Sequence, residues 1–164
     1  MRAKNFLAFG VSFLLAVAVL GQAAGEAKKP GPGTAASKAV IMPAADLKWM
    51  DLDPKGAPGV KNADVWGDHT KGAFKGFTKF PAGFETPLHT HTNDLEIVVI
   101  SGTFIHGPEG KPEVRLGPGS YFLQPGGNYR HTTKCDKSSE CLFYIQSKGK
   151  FDLIPVEAAK APAK

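Results

Sequence analysis

The stretch Gly83-Phe84-Glu85-Thr86-Pro87-Leu88-His89-Thr90-His91-Thr92-Asn93-Asp94-Leu95-Glu96, running on to Gly102, decides how this chain is read. His89 and His91 stand two apart, which on a strand sets both imidazoles on one face. Two imidazoles beside a carboxylate make half a site for a first-row metal ion. A third imidazole from a distant strand would complete it. His131, after the turn Pro125-Gly126-Gly127, is the candidate. Glu96 is expected to serve as a fourth ligand or as a general base. A solvent-facing strand charge is the plainer role for it. Asp94 is the substitute carboxylate, although a turn position suits it better. Three histidines without a carboxylate are the remaining arrangement.

Outward from this stretch, short apolar or alternating runs are cut by Gly and Pro. Ala73–Phe80 roughly alternates before Pro81-Ala82-Gly83 turns the chain. Strands are expected over Phe84–His91, Glu96–Ile100, Thr103–His106, Ser120–Gln124, Tyr129–Lys134, Leu142–Gln146 and Phe151–Val156. Strands at such close spacing predict an antiparallel barrel or sandwich. No segment of the body keeps a helical apolar period for three turns.

The ends of the chain differ from its body. Arg2 and Lys4 precede an uncharged apolar run, Phe6 to Leu20, and small residues follow at Gly21, Ala23, Ala24 and Gly25. This is the pattern of an export signal, expected over residues 1–25, cut near Ala23 or Gly25. The run is shorter than the ~20 residues of a spanning helix. Residues 26–38 read as a flexible linker, 39–157 as the folded domain and 158–164 as a frayed tail. The expected location is periplasmic or secreted, with no membrane contact after cleavage.

The formal charge of +5 belongs to those ends. Between Met42 and Glu157 there are 13 Lys+Arg against 14 Asp+Glu. That balance offers no basic face for nucleic acid. Cys135 and Cys141 are the two cysteines, five polar residues apart. In an exported protein such a pair reads as a disulfide, here across a hairpin turn. A soft metal site or redox pair is the alternative, but the spacing fits neither a CxxC motif nor a zinc set.

The histidine stretch resembles the first motif of the cupin superfamily: Gly, five residues, His-x-His, three or four residues, Glu, six residues, Gly. Here the order is Gly83, five residues, His89-Thr90-His91, four residues, Glu96, five residues, Gly102. The second cupin motif is Gly, five residues, Pro-x-Gly, two residues, His. Here Gly119, five residues, Pro125-Gly126-Gly127 and three residues lead to His131. Glu96 is thus one residue too near Gly102, and His131 is one residue late, with Arg130 in its place. A bulge would absorb the extra residue. Arg130 stays protonated and is no ligand. The resemblance extends to small bacterial cupins, to the cupin half of zinc-binding anti-sigma factors and to diketone-cleaving dioxygenases.

The resemblance implies a jelly-roll barrel holding one divalent ion (Zn, Fe, Mn, Ni or Cu) on His89, His91, His131 and Glu96. It implies an exported metal-dependent enzyme acting on a small molecule, dioxygenase-like or otherwise. A non-catalytic module that binds zinc or a small ligand is the alternative, and a metal-free cupin a third. A homodimer is possible. His106 shares the parity of Phe104 and can face the barrel as a substrate contact, although a half-exposed strand end beside Gly107-Pro108 is the plainer expectation. Gln124 and Arg130 border the site and can bind an anionic substrate, or simply line its rim. His69, among charged and Gly residues, is expected to be exposed.

Overall fold

The structure, a computed structural model, describes residues 38–157. The signal, all of the linker but Lys38, and the tail read from the sequence lie outside the described residues. After one 3-10 turn at Ala44–Asp46, eleven strands follow: β1 (Met50–Asp53), β2 (Ala57–Gly67), β3 (Phe74–Phe80), β4 (His89–Thr90), β5 (Leu95–Ser101), β6 (Phe104–Pro108), β7 (Val114–Leu116), β8 (Tyr121–Gln124), β9 (His131–Cys135), β10 (Cys141–Ser147) and β11 (Ile154–Pro155). No α-helix occurs among the described residues. The strands form two antiparallel sheets, ordered β1-β2-β3-β10-β5-β8 and β11-β4-β9-β6-β7. This is the antiparallel all-β architecture that the strand spacing predicts, and the jelly roll that the cupin resemblance implies.

The core is built by period-two alternation. Leu95, Ile97 and Val99 of β5 point inward, as do Phe143 and Ile145 of β10 and His131, Thr133 and Cys135 of β9. Between the sheets the rings of Phe80, Phe104 and Phe143 meet, with centroids 4.9 to 6.1 Å apart. Edge-to-face and offset rings of this kind add to the stabilisation from burial itself.

Several strands differ from the sequence expectation. The Phe84–His91 segment joins a ladder only at His89–Thr90, besides one bridge between Glu85 and Lys134. Pro87 has no N–H to donate, which breaks the pairing. β1, β2 and β7 were not foreseen. β2 runs for 11 residues, but its pairing shifts register between Asp64 and Trp66, which destroys the alternation a reader looks for.

Cys135 and Cys141 form a disulfide with Cα atoms 5.8 Å apart. It does not close a hairpin, because β9 and β10 belong to different sheets. It ties the end of one sheet to the start of the other. Closing so short a loop contributes about 2 kcal/mol in the chain-entropy account. Replacing both cysteines by serine is therefore expected to lower unfolding free energy by about that amount, measured by denaturant titration. An unchanged midpoint would show that the two sheets are held together without it.

Gly102 shows what its motif position is for. Its φ is +78°, and a Cβ there would meet the carbonyl oxygen of Glu140 at 2.4 Å. Only glycine lets β5 turn into β6 against the chain beside the disulfide.

Candidate metal centre

The two motifs meet through backbone pairing. His89 of β4 and His131 of β9 are direct partners across the ladder, with ring centroids 4.2 Å apart. His91 completes the group. One ring nitrogen from each of the three lies within 4.8 Å of the others, and all three residues are buried. The Pro-Gly-Gly turn docks onto the first motif: Gly127 N–H donates to the His91 carbonyl at 2.8 Å, and Gly126 N–H to Asp94 Oδ1 at 2.7 Å. A Cβ on Gly126 would meet the Thr92 carbonyl at 2.6 Å, so glycine permits that contact.

The protonation pattern follows from the anchors. Nδ1 of His89 donates to the Pro87 carbonyl at 2.8 Å, Nδ1 of His131 to the Tyr129 carbonyl at 3.1 Å, and Nδ1 of His91 to the Asp152 carbonyl. With each Nδ1 holding the proton, each neutral ring presents an Nε2 lone pair. Nε2 of His89 and His91 stand 3.1 Å apart, and Nε2 of His131 is buried with no hydrogen-bond partner. Facing lone pairs repel unless something positive lies between them. Two nitrogens each ~2.0–2.1 Å from one ion lie roughly 3.0–3.4 Å apart at ordinary coordination angles. The donor set therefore fits a first-row divalent ion, with the backbone carbonyls orienting each ring as outer partners do.

Burial pushes the His91 imidazole down to about 4 and that of His131 down to about 3, with the neighbouring His89 adding to the effect in both. His89 is also lowered, by burial. All three are thus neutral near pH 7 and ready to bind a cation. The same shifts bear on stability without metal. A folded-state value below the ordinary 6.5 means that the unfolded chain takes up protons first. Stability of the metal-free protein is expected to fall from about pH 6.5 downward until these groups titrate in the fold, near 4 and 3. The slope is at most about 1.4 kcal/mol per pH unit for each histidine. Denaturant titrations at pH 7 and pH 5 check this, and equal midpoints would contradict it.

Glu96 is not brought to the histidines. Leu95 and Ile97 face the core, so Glu96 faces the outer side of β5, where Gln146 Nε2 donates to it at 3.0 Å. The reason is visible in the motif: the position separated from Gly102 by six residues is Leu95, whereas Glu96 is separated from it by five. Leu95 lines the cavity beside His89 and His91. Among the described residues, no further His, Cys, Asp or Glu joins the triad. Asp94 is a turn residue held by Gly126 N–H.

The late position of His131 needs no bulge. β9 pairs with β6 without a register shift from Phe104–Cys135 to Pro108–His131. The extra residue is taken up in the turn at Gly127-Asn128.

The three residues proposed to border the site separate. Gln124 lines the cavity, is 2% exposed, and its amide Nε2 has no partner. His106 is buried rather than half-exposed. Its Nε2 and the Tyr129 hydroxyl share a hydrogen bond at 2.9 Å, and its ring lies 5.2 Å from that of His131. Arg130 turns away from the cavity, to Glu109 at 3.0 Å and the Glu157 carbonyl. His69 overturns its expectation: it is 7% exposed and lines the same cavity as His89 and His91. Asn62 and Thr78, paired across β2 and β3, are also buried there and bonded to each other at 3.0 Å. Parity with the buried Val60 marks Asn62; nothing in the sequence marks His69.

Two antiparallel sheets with a histidine cluster inside have the jelly-roll fold of cupins. The chain belongs to the family described as "Domain of unknown function (DUF4437)", whose model matches residues 19–154. No curated protein sequence matches the chain. Among solved structures, it is similar to the polyketide cyclase RemF from Streptomyces resistomycificus, at 19% identity and TM-score 0.61, covering 77% of this chain and 89% of that one. It is similar to an RmlC-like cupin protein from Ralstonia eutropha, at 18% identity and TM-score 0.60, covering 74% and 76%. It is also similar to KdgF from Halomonas sp., at 24% identity and TM-score 0.52, covering 66% and 94%. At such identities the likeness is one of fold.

Proposed function

We propose that this chain is an exported metal-dependent enzyme acting on a small molecule. The observation that carries the reading is the convergence of three anchored imidazoles with no fourth protein ligand among the described residues. Structural zinc sites close their shell with four protein ligands, whereas catalytic sites leave a position open. His89, His91 and His131 would hold the ion, which when bound supplies Lewis-acid polarisation of a substrate oxygen. Gln124 would donate its unpartnered amide hydrogen to that substrate, and Leu95, Ile97, Phe104 and Phe143 keep bulk water out.

Export is supported by the pattern of residues 1–25 and by the disulfide. That the fold is also used by an enzyme, the polyketide cyclase RemF, favours the catalytic reading. The second reading, a non-catalytic module binding zinc or a small ligand, draws on the small volume beside the histidines, about 40 Å3. Elemental analysis of natively exported protein tests the metal. One equivalent of Zn, Fe, Mn, Ni or Cu carrying an exchangeable water, together with turnover in a panel of oxidisable and hydrolysable small molecules, is expected. An ion without exchangeable water would favour the second reading, and no metal after reloading would end both metal readings.

A further inference from the structure

We propose that Asp64 and His69 are the proton-accepting pair of the cavity beside the triad, and that this cavity takes a small uncharged molecule bearing one weakly acidic proton. This rests on the reading of that cavity as a substrate site. His69 follows β2, and its carbonyl accepts the Phe151 N–H at 2.8 Å. It is thereby fixed to the segment whose Asp152 carbonyl anchors His91.

The tautomer of His69 is set by its surroundings. Thr78 Oγ1 donates to Asn62 Oδ1 at 3.0 Å, which turns the Asn62 amide nitrogen toward Asp64 Oδ1 at 2.9 Å. Asp64 Oδ2 lies 2.8 Å from His69 Nδ1 and also accepts the His69 backbone N–H at 3.2 Å. Asn62 Nδ2 also lies 3.2 Å from His69 Nδ1, but the carboxylate contact at 2.8 Å is the shorter, and an ionised carboxylate only accepts, so His69 Nδ1 carries the proton. The lone pair is left on Nε2, the ring nitrogen turned away from Asp64, on a residue that lines the cavity. An imidazole oriented by a carboxylate, with its other nitrogen unengaged, is the arrangement of a general base.

The cavity also restricts what that base would meet. Its volume of about 40 Å3 gives room for a few waters or a molecule of similar scale. Its walls are largely Phe, Leu and Ile, and none of the residues lining it is Lys or Arg. An anionic ligand would lose its hydration without gaining a cationic side chain. Arg130, the cation expected from the sequence to bind an anion, is turned elsewhere. In the step, a C–H or O–H bond of the neutral ligand breaks and an N–H bond forms at His69 Nε2. The electron pair stays on the ligand, and Asp64 balances the new imidazolium. No oxidant or reductant is consumed.

The test uses full-length protein labelled with nitrogen-15 at histidine, loaded with zinc, and titrated with acetohydroxamic acid, a small neutral acid. Zinc content is measured on the same samples. The expected result is a shift of the His69 Nε2 resonance from the lone-pair to the protonated range as the probe saturates. His69→Gln removes that signal and identifies it, and Asp64→Asn abolishes the shift. A probe that saturates while His69 Nε2 keeps its lone pair, or that fails to bind protein holding one zinc per chain, overturns the pair. Protein that holds no zinc yet shows the shift retains the pair and overturns the metal reading. Protein with neither overturns both.

Discussion

Replacing His131 by alanine is expected to abolish stoichiometric metal binding while leaving the fold intact. The loss should exceed the ~10–100-fold that removal of an outer-shell partner costs, because a ligand itself is gone. His131 is the member of the triad supplied by the second sequence motif, and its Nε2 is buried without a partner. Removing it leaves His89 and His91, two ligands that hold an ion far less well than three. Glu96→Gln is the informative control. Glu96 bonds Gln146 on the outer face of β5, so its replacement is expected to leave metal content unchanged. Isothermal titration of metal-free protein with zinc, alongside elemental analysis, measures both variants. Equal zinc affinity for His131→Ala and the wild type would remove the basis for the site. Loss in Glu96→Gln would return the carboxylate to the metal.

The second large effect concerns the core that carries the site. Phe104→Ala is expected to cost about 3–5 kcal/mol of unfolding free energy, the usual range for a buried Phe truncated to Ala. Phe104 is 1% exposed, and its ring meets Phe80, Phe122 and Phe143 at centroid distances of 5.1 to 6.1 Å. The three neighbours all belong to the facing six-stranded sheet, on β3, β8 and β10, and cannot all close the void. Since small domains are stable by only ~5–15 kcal/mol, the variant should be marginal at 37 °C. It also widens the cavity beside the histidines, which Phe104 lines. Tyr121→Ala, at a position 59% exposed, should change stability by no more than about 0.5 kcal/mol. Denaturant titration compares the two. A Phe104→Ala midpoint equal to that of Tyr121→Ala would mean that the aromatic cluster does not hold the sheets together.

The convergence of the histidines was legible because it is written in their spacing. His89-Thr90-His91 puts two imidazoles on one side, and Pro125-Gly126-Gly127 announces the turn that returns His131 to them. Glu96 misled for a local reason. A one-residue displacement on a strand exchanges inside for outside, and the inward position fell to Leu95. Arg130 and the cysteines show a similar limit. The type of residue was readable, but Arg130 turned out to be held by Glu109, and the disulfide joins two sheets rather than two arms of a hairpin. His69 escaped entirely, because it lies outside both motifs and its carbonyl is held by the N–H of Phe151, more than eighty residues further on.

The sequence, then, determined that the body is all-β, that His89, His91 and His131 come together, and that Cys135 pairs with Cys141. These follow from alternation, turn residues and spacing, which are properties of neighbours in the chain. Which carboxylates reach the cavity, which polar groups line it, and how small and uncharged it is were decided only by the packing of one sheet on the other. Those properties depend on distances between segments far apart in sequence, and strand periodicity carries no record of them.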